Sequence, residues 1–302
     1  MGRFDGQVVV VTGAGGGLGR AHALLLAAEG AKVLVNDYGG DQHGNRGDSA
    51  MADAVVAEIR AAGGLAEADD ADVATDGESV VAHAIEAFGG LHALVNNAGT
   101  ANGGTLETIP VADYDRLLAI HLGGTLAVSR AAWPVFRQQG YGRIVNTSSA
   151  SVYGMAGTSA YITAKAAIFG LTRATALDGA TIGIKVNAIM PAAFSRLTAQ
   201  SPDFAALMHA AFPPAKVSPV VAALACADAP CTGETFVVGG GRAARVILGT
   251  VPGLVGFDSV DDVLNGFGEA MDSTDVYVPD NAMTEVAYEC ARLGIDLSGL
   301  GG

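Results

Sequence analysis

The sequence predicts an α/β fold, a doubly wound, parallel, seven-stranded sheet with helices on both faces. Two observations carry this expectation. Short β-rich apolar runs alternate with helix-patterned segments from Val8 onward, and parallel strands need a crossover of that kind between them. The stretch TGAGGGLG, Thr12 to Gly19, lies directly between the first run and the first helical segment, the context a phosphate-cradling turn requires. With 302 residues, 50% hydrophobic and 16% charged, the chain can fill such a core and is too apolar to be disordered. No Pro- or Ser-rich linker marks a second domain. One domain over residues 1–245 and an extension, 246–302, packed on it are therefore expected.

Val8–Val11 reads as a buried strand, Gly19–Glu29 as a helix stopping at Gly30, and Lys32–Val35 as the second strand of a βαβ unit. A polar, glycine-rich stretch, Gly39–Asp48, precedes a helix over Ser49–Ala62. Then follow a strand near Ala66–Ala68, a helix at Glu78–Phe88 and a strand at Ala93–Val95. Asp113–Gln138 is a long helical stretch, interrupted or ended near Pro134. Arg143–Asn146 is the fifth strand, Ala160–Leu177 a helix, Lys185–Ile189 the sixth strand, Val220–Ala227 a helix and Thr235–Val238 the seventh strand. Beyond Arg245 only Met283–Arg292 reads as a helix.

Composition excludes several functions. The net charge of −14 repels phosphate backbones, so no nucleic-acid partner is expected. Cys226, Cys231 and Cys290 lack metal-ligand spacing, so no metal is expected and the thiols read as buried in a reducing compartment. No apolar run reaches 18 residues, and neither a signal peptide nor a C-terminal peroxisomal tripeptide is visible. A cytoplasmic protein with no membrane contact is the expectation.

In the glycine-rich turn, Gly13 makes the tight bend, Gly17 lets the backbone approach a pyrophosphate and Gly19 lets helix and strand pack closely. Gly16 and Leu18 complete the passage into the helix, whose first N–H groups and positive dipole end face the phosphates. The second strand ends in Asn36-Asp37, with Asp37 standing 24 residues after Gly13. A carboxylate there accepts hydrogen bonds from both adenosine ribose hydroxyls and repels a 2′-phosphate, which selects NAD over NADP.

Tyr161 and Lys165 form a Y-x-x-x-K pair on a helix, and a spacing of four puts both on one face. A phenol is a poor base near neutrality, but a neighbouring ammonium and the nicotinamide charge lower its pKa. Tyr161 then exchanges a proton with an alcohol or carbonyl while hydride moves. Ser148-Ser149, at the end of the fifth strand, supplies a hydroxyl to hold the reacting oxygen.

Together these residues resemble the short-chain dehydrogenase/reductase family, and with it a Rossmann-type sheet. The likeness runs over roughly Gly2 to Gly241 and rests on TGAGGGLG, NNAG at Asn96–Gly99, NTSS at Asn146–Ser149, YITAK at Tyr161–Lys165 and NAIMP at Asn187–Pro191. Within the family, VNDYGGD at Val35–Asp41, its glycine-rich continuation and AIHLGGT around His121 look similar to one group. That group is the (R)-3-hydroxyacyl-CoA dehydrogenase module of multifunctional β-oxidation enzymes, also described as a 17β-hydroxysteroid dehydrogenase type. The resemblance implies Tyr161 as acid/base, Lys165 on the nicotinamide ribose and Ser149 on the substrate oxygen. It implies Asn97, Ala98 and Gly99 along the adenosine side, Asp72 and Val73 beside the adenine, Pro191 at the carboxamide, and Ser195 and Thr198 near the pyrophosphate. His121 stands where the wider family has an Asn that serves a proton relay; the narrower group has His there too. The family's serine stands 13 residues before the tyrosine, which selects Ser148. Anchoring on the strand motif selects Ser149, preferred because loops absorb deletions. The resemblance implies a homodimer or homotetramer and a small-molecule substrate, a 3-hydroxyacyl-CoA-type thioester. A steroid or other bulky alcohol is the runner-up, and a non-catalytic NAD-binding regulator the reading from another class.

Overall fold

The computed structural model describes residues 2–40, 50–100, 103–193 and 202–296. Two compact units divide the chain, Met1–Arg245 and Val246–Gly302.

In the first unit the elements run β1 (Val8–Thr12), α1 (Gly17–Ala28), β2 (Lys32–Asn36), α2 (Ala50–Ala61), β3 (Leu65–Asp69), α3 (Val73–Phe88) and β4 (Ala93–Asn96). They continue with α4 (Val111–Leu118), a π-helical turn (Ala119–Gly123), α5 (Gly124–Gln139), β5 (Gly142–Thr147), α6 (Ser159–Gly179), β6 (Ile184–Ala192), α7 (Pro202–Ala211), α8 (Ser218–Ala225), β7 (Thr235–Gly239) and β8 (Arg242–Val246). The sheet order is β3-β2-β1-β4-β5-β6-β7-β8. The pairs from β3 through β7 are parallel. The order reverses between β1 and β4, and at such a switch point doubly wound sheets bind ligands beyond the carboxyl ends of their strands.

Strand alternation builds two cores. Val9, Val11, Val33 and Val35 face Leu26 of α1, Val55 and Ile59 of α2, and Val221 and Leu224 of α8. Val8, Val10 and Leu34 face the opposite way, onto Val80 and Ala84 of α3 and Val128, Ala132 and Phe136 of α5. Within the first core, the fully buried His22 of α1 places Nδ1 2.8 Å from Ser218 Oγ at the start of α8.

Three details depart from the sequence expectation. An eighth strand, β8, joins the sheet through Gly240-Gly241, both at positive φ (59° and 90°). A two-residue link makes a hairpin, so β8 is antiparallel to β7. Helix α5 runs through Pro134 to Gln139; the burial of Ala132 and Phe136 on either side of it holds the helix where propensity alone would end it. The departure from α-helix comes earlier, in the π turn. Helix α7 lies in the apolar stretch after Pro191, where no element was expected.

The second unit holds α9 (Val260–Ala270), started by a Ser259–Asp262 capping box, and α10 (Ala282–Arg292), capped by Asn281. Tyr277 and Tyr288 stack there at 4.2 Å. Helix α9 went unread in the sequence. Among the described residues no helix is long and apolar enough to cross a membrane.

Candidate active site

The segment after β5 and the π turn meet α6, and the glycine turn after β1 lies against the segment after β4. The glycine turn after β1 takes its form from close approaches. A Cβ at Gly19 would lie 2.2 Å from the Gly13 carbonyl oxygen, and one at Gly13 would lie 2.7 Å from Ala98 Cα. Asn97 fixes the turn by donating from Nδ2 to the carbonyls of Thr12 (2.9 Å) and Gly13 (3.0 Å). Thr12 Oγ1 in turn accepts the N–H groups of Asn97 and Ala98, each at 3.0 Å. Expected to line the adenosine, Asn97 thus commits its amide to the backbone of the turn. Thr12 was not singled out in the sequence, although it opens the TGAGGGLG motif.

The turn fits a dinucleotide. Gly16 is the N-cap of α1 and brings no side-chain cap, and the first turn, with Leu18 in it, holds no acid. Its N–H groups are left to an external anion. Gly17 has φ +52° and open space where a Cβ would stand. Asp37 faces the same turn, accepting the Gly15 N–H on Oδ2 and the Gly39 N–H on Oδ1, both at 2.9 Å. Asp72 is the N-cap of α3, accepting the Ala74 N–H at 2.9 Å, and Val73 is buried as the first residue of that helix. Pro191 lies near the end of β6, paired with Val238. Ser195 and Thr198 lie outside the described residues, as does most of the glycine-rich continuation up to Asp48.

On α6, Tyr161 and Lys165 point into the site one helical turn apart. The Lys165 ammonium is buried (3% exposed), donates to the Thr147 carbonyl at 2.7 Å and lies 5.6 Å from the centroid of the Tyr161 ring. Burial pushes it down to about 7. The Tyr161 phenol is held above its ordinary value by burial, against a hydrogen bond with Ser149 that pulls it down. The sequence expectation is a phenol lowered by Lys165 together with the nicotinamide charge; among the chain's own groups, burial outweighs the pull of Ser149.

Successive residues after β5 face opposite ways. Ser149 is the one whose hydroxyl pulls the Tyr161 pKa down; its Oγ accepts from the Ser151 N–H (3.2 Å) and hydroxyl (3.0 Å). Ser148 is buried and donates instead to the Lys165 carbonyl at 2.8 Å. Made side by side, Ser149→Ala should lower kcat/KM by about 10²-fold or more. Ser148→Ala should chiefly lower the thermal midpoint. The reverse pattern would transfer the role to Ser148.

His121 lies in the π turn, an irregularity frequent at functional sites. It is 2% exposed and meets the Tyr161 ring edge-on, with centroids 5.2 Å apart. Nε2 pairs with the Thr100 carbonyl at 2.7 Å, and Nδ1 is buried with no hydrogen-bond partner. Burial first, and Lys165 second, hold its pKa well below 6.5, against the Thr100 carbonyl, so the ring is neutral at physiological pH. Gly99 makes room for it, since a Cβ there would stand 2.4 Å from His121 Cε1. No group of His, Cys, Asp and Glu among the described residues is arranged to hold a metal ion.

A hydroxyl, a phenol and an ammonium beside a dinucleotide turn define an oxidoreductase that uses a nicotinamide cofactor. The model of the family described as short chain dehydrogenase matches residues 7–203, and the chain belongs to that family. It is 43% identical over 274 residues to a short-chain type dehydrogenase/reductase of Mycobacterium tuberculosis, covering 88% of this chain and 94% of the relative. It is 48% identical over 197 residues to peroxisomal multifunctional enzyme type 2 of Mus musculus. That match takes in 65% of this chain and spans only 27% of the mouse protein. Among solved structures, a short chain dehydrogenase from Mycobacterium avium superposes with a TM-score of 0.78 at 38% identity, over 91% of this chain and 99% of that one.

Proposed function

We propose that the chain is an NAD-dependent dehydrogenase of secondary alcohols whose substrate is a 3-hydroxyacyl-CoA-type thioester. The observation that carries the reaction is the buried Lys165 ammonium 5.6 Å from the centroid of the Tyr161 ring, with the Ser149 hydroxyl near enough to act on the phenol. A bound nicotinamide supplies or accepts the hydride. Ser149 holds the substrate oxygen, and Tyr161 takes or returns its proton. Lys165 places a positive charge behind the phenol, and with burial bringing it down to about 7, it loses and regains a proton at little cost near neutrality. His121, neutral and buried, backs the Tyr161 ring and offers Nδ1 as an acceptor.

NAD preference follows from Asp37, whose carboxylate faces the glycine turn. The guanidiniums of the neighbouring helices are engaged: Arg20 pairs with Glu58, and Arg60 with Glu67. A 2′-phosphate beside Asp37 meets like charge, at a cost on the order of several kcal/mol. Steady-state assays should give NAD the higher kcat/KM, and a higher value for NADP would refute this reading of Asp37.

The thioester class is supported by the resemblance of VNDYGGD and His121 to hydroxyacyl-CoA dehydrogenase modules. NADH formation should be faster with (R)-3-hydroxyacyl-CoA than with the same acyl group on a short thiol, because remote contacts help position the reacting carbon. Equal rates on the two, or turnover confined to steroids, would overturn it. Absence of turnover on every alcohol would leave a binding protein. The same resemblance supports a homodimer or homotetramer, read by light scattering, and the free thiols of Cys226, Cys231 and Cys290 suit the cytoplasm.

A further inference from the structure

A buried polar ladder stands beside Asp37 and takes no part in the chemistry above. Asn36 and Asp69 end β2 and β3 and are register partners; they are 1% and 8% exposed. Asn36 Nδ2 donates to Asp69 Oδ1 at 2.6 Å and to the Ala71 carbonyl at 3.0 Å. Asp69 Oδ1 also accepts the Ala71 N–H at 3.2 Å, and Oδ2 lies 2.8 Å from Nδ1 of His83 on α3. The Asp37 N–H donates to the Asp69 main-chain carbonyl at 2.9 Å.

One carboxylate therefore ties together the end of β2, the connector 70–72 and α3. The residue after Asn36 is Asp37, and the connector leads directly into Asp72 and Val73. A buried carboxylate is costly to desolvate, and an apolar pair would join two strands at least as well. What an apolar pair cannot do is hold the Ala71 N–H and carbonyl together with the donor on His83. A cleft of about 140 Å³ opens beside Asp69, lined also by Asp53 and Asp70.

We propose that Asp69, with Asn36 in front of it and His83 behind, is a positioning residue for the adenosine half of the cofactor. It holds Asp37 and the Asp72–Val73 corner at the separation the nucleoside needs, and so sets cofactor affinity and selection without touching the reacting atoms. The proposal rests on the reading of Asp37 as the ribose-binding acid.

The test is fluorescence titration of the full chain with NADH and with NADPH, alongside kcat at saturating NAD. Asp69→Ala should weaken NADH about tenfold or more and NADPH less, with kcat within about twofold of the parent. His83→Leu should weaken NADH by roughly threefold, and His83→Gln, whose amide still donates to the carboxylate, should restore it. Unchanged NADH affinity in Asp69→Ala, or equal losses for both cofactors, overturns the proposal. If Asp69→Ala does not fold, the half-exposed His83 pair decides, and failure of Gln to restore what Leu removes counts against it. Asp37→Ala separates the two layers. Should it leave affinity and preference intact, the reading of Asp37 falls; should it alone change them, the ladder proposal falls.

Discussion

Tyr161→Phe is expected to lower kcat by about 10²–10⁴-fold, the range removed with a positioned acid/base. The ring itself stays, so its edge-on contact with His121 and its place beside Lys165 survive the change. Ser149 keeps both bonds from Ser151. NADH affinity should therefore remain within about twofold, because the glycine turn and Asp37 lie on other elements. Stopped-flow NADH formation and a binding titration check the two halves separately. Near-parental turnover would mean that the proton leaves by another group.

Acid should destabilise the protein steeply, and two buried histidines set the slope. In the fold, burial holds His22 down at about 3 and His121 well below 6.5, whereas both titrate near 6.5 in the unfolded chain. Below that pH the unfolded chain takes up protons that the folded one refuses. The stability is present above pH 6.5 and, for His22, is lost progressively down to about pH 3. Each histidine contributes a slope of about 1.4 kcal/mol per pH unit. Urea midpoints followed from pH 7.5 to pH 5 should fall accordingly. His22→Asn, which keeps a partner for Ser218, should remove about half of the slope assigned to the pair. An unchanged slope would show that His22 is not the group responsible.

The strands were legible wherever both faces are buried. Val8–Val11 and Lys32–Val35 read as continuous apolar runs because parallel strands have helices on either side. Strand β8 was missed because Arg242 and Arg245 interrupt its pattern, and an edge strand tolerates charge. Helix α9 carries Gly266 and Gly268, which lower helix propensity, although the Ser259-x-x-Asp262 spacing that starts it is itself legible in the sequence. At the site, motif spacing placed Tyr161 and Lys165 on one face. Spacing could not report that Ser148 spends its hydroxyl on the Lys165 carbonyl, because that depends on the direction of a side chain. The Tyr161 pKa depends on burial, which no spacing reports, and the Asn97 amide could be assigned only once its two carbonyl partners were in view.

The π turn between α4 and α5 has a bearing on how this chain tolerates changes of length. Backbone angles stay right-handed helical on both sides of it, so α4 and α5 share one rod. Yet the two ends pack in different directions. Tyr114 of α4 bonds Thr163 of α6 at 2.9 Å, while Val128 and Phe136 of α5 lie in the core with α3. A π turn takes one residue more than an α turn for about the same rotation, so one rod serves both neighbours while the extra residue is absorbed in the segment that carries His121. Removing one residue from Ala119–Gly123 would close that segment to ordinary α-helix, leave Tyr114 and Phe136 on their partners, and take His121 off the Tyr161 ring. A change of length there is thus a change at the site and not in the scaffold.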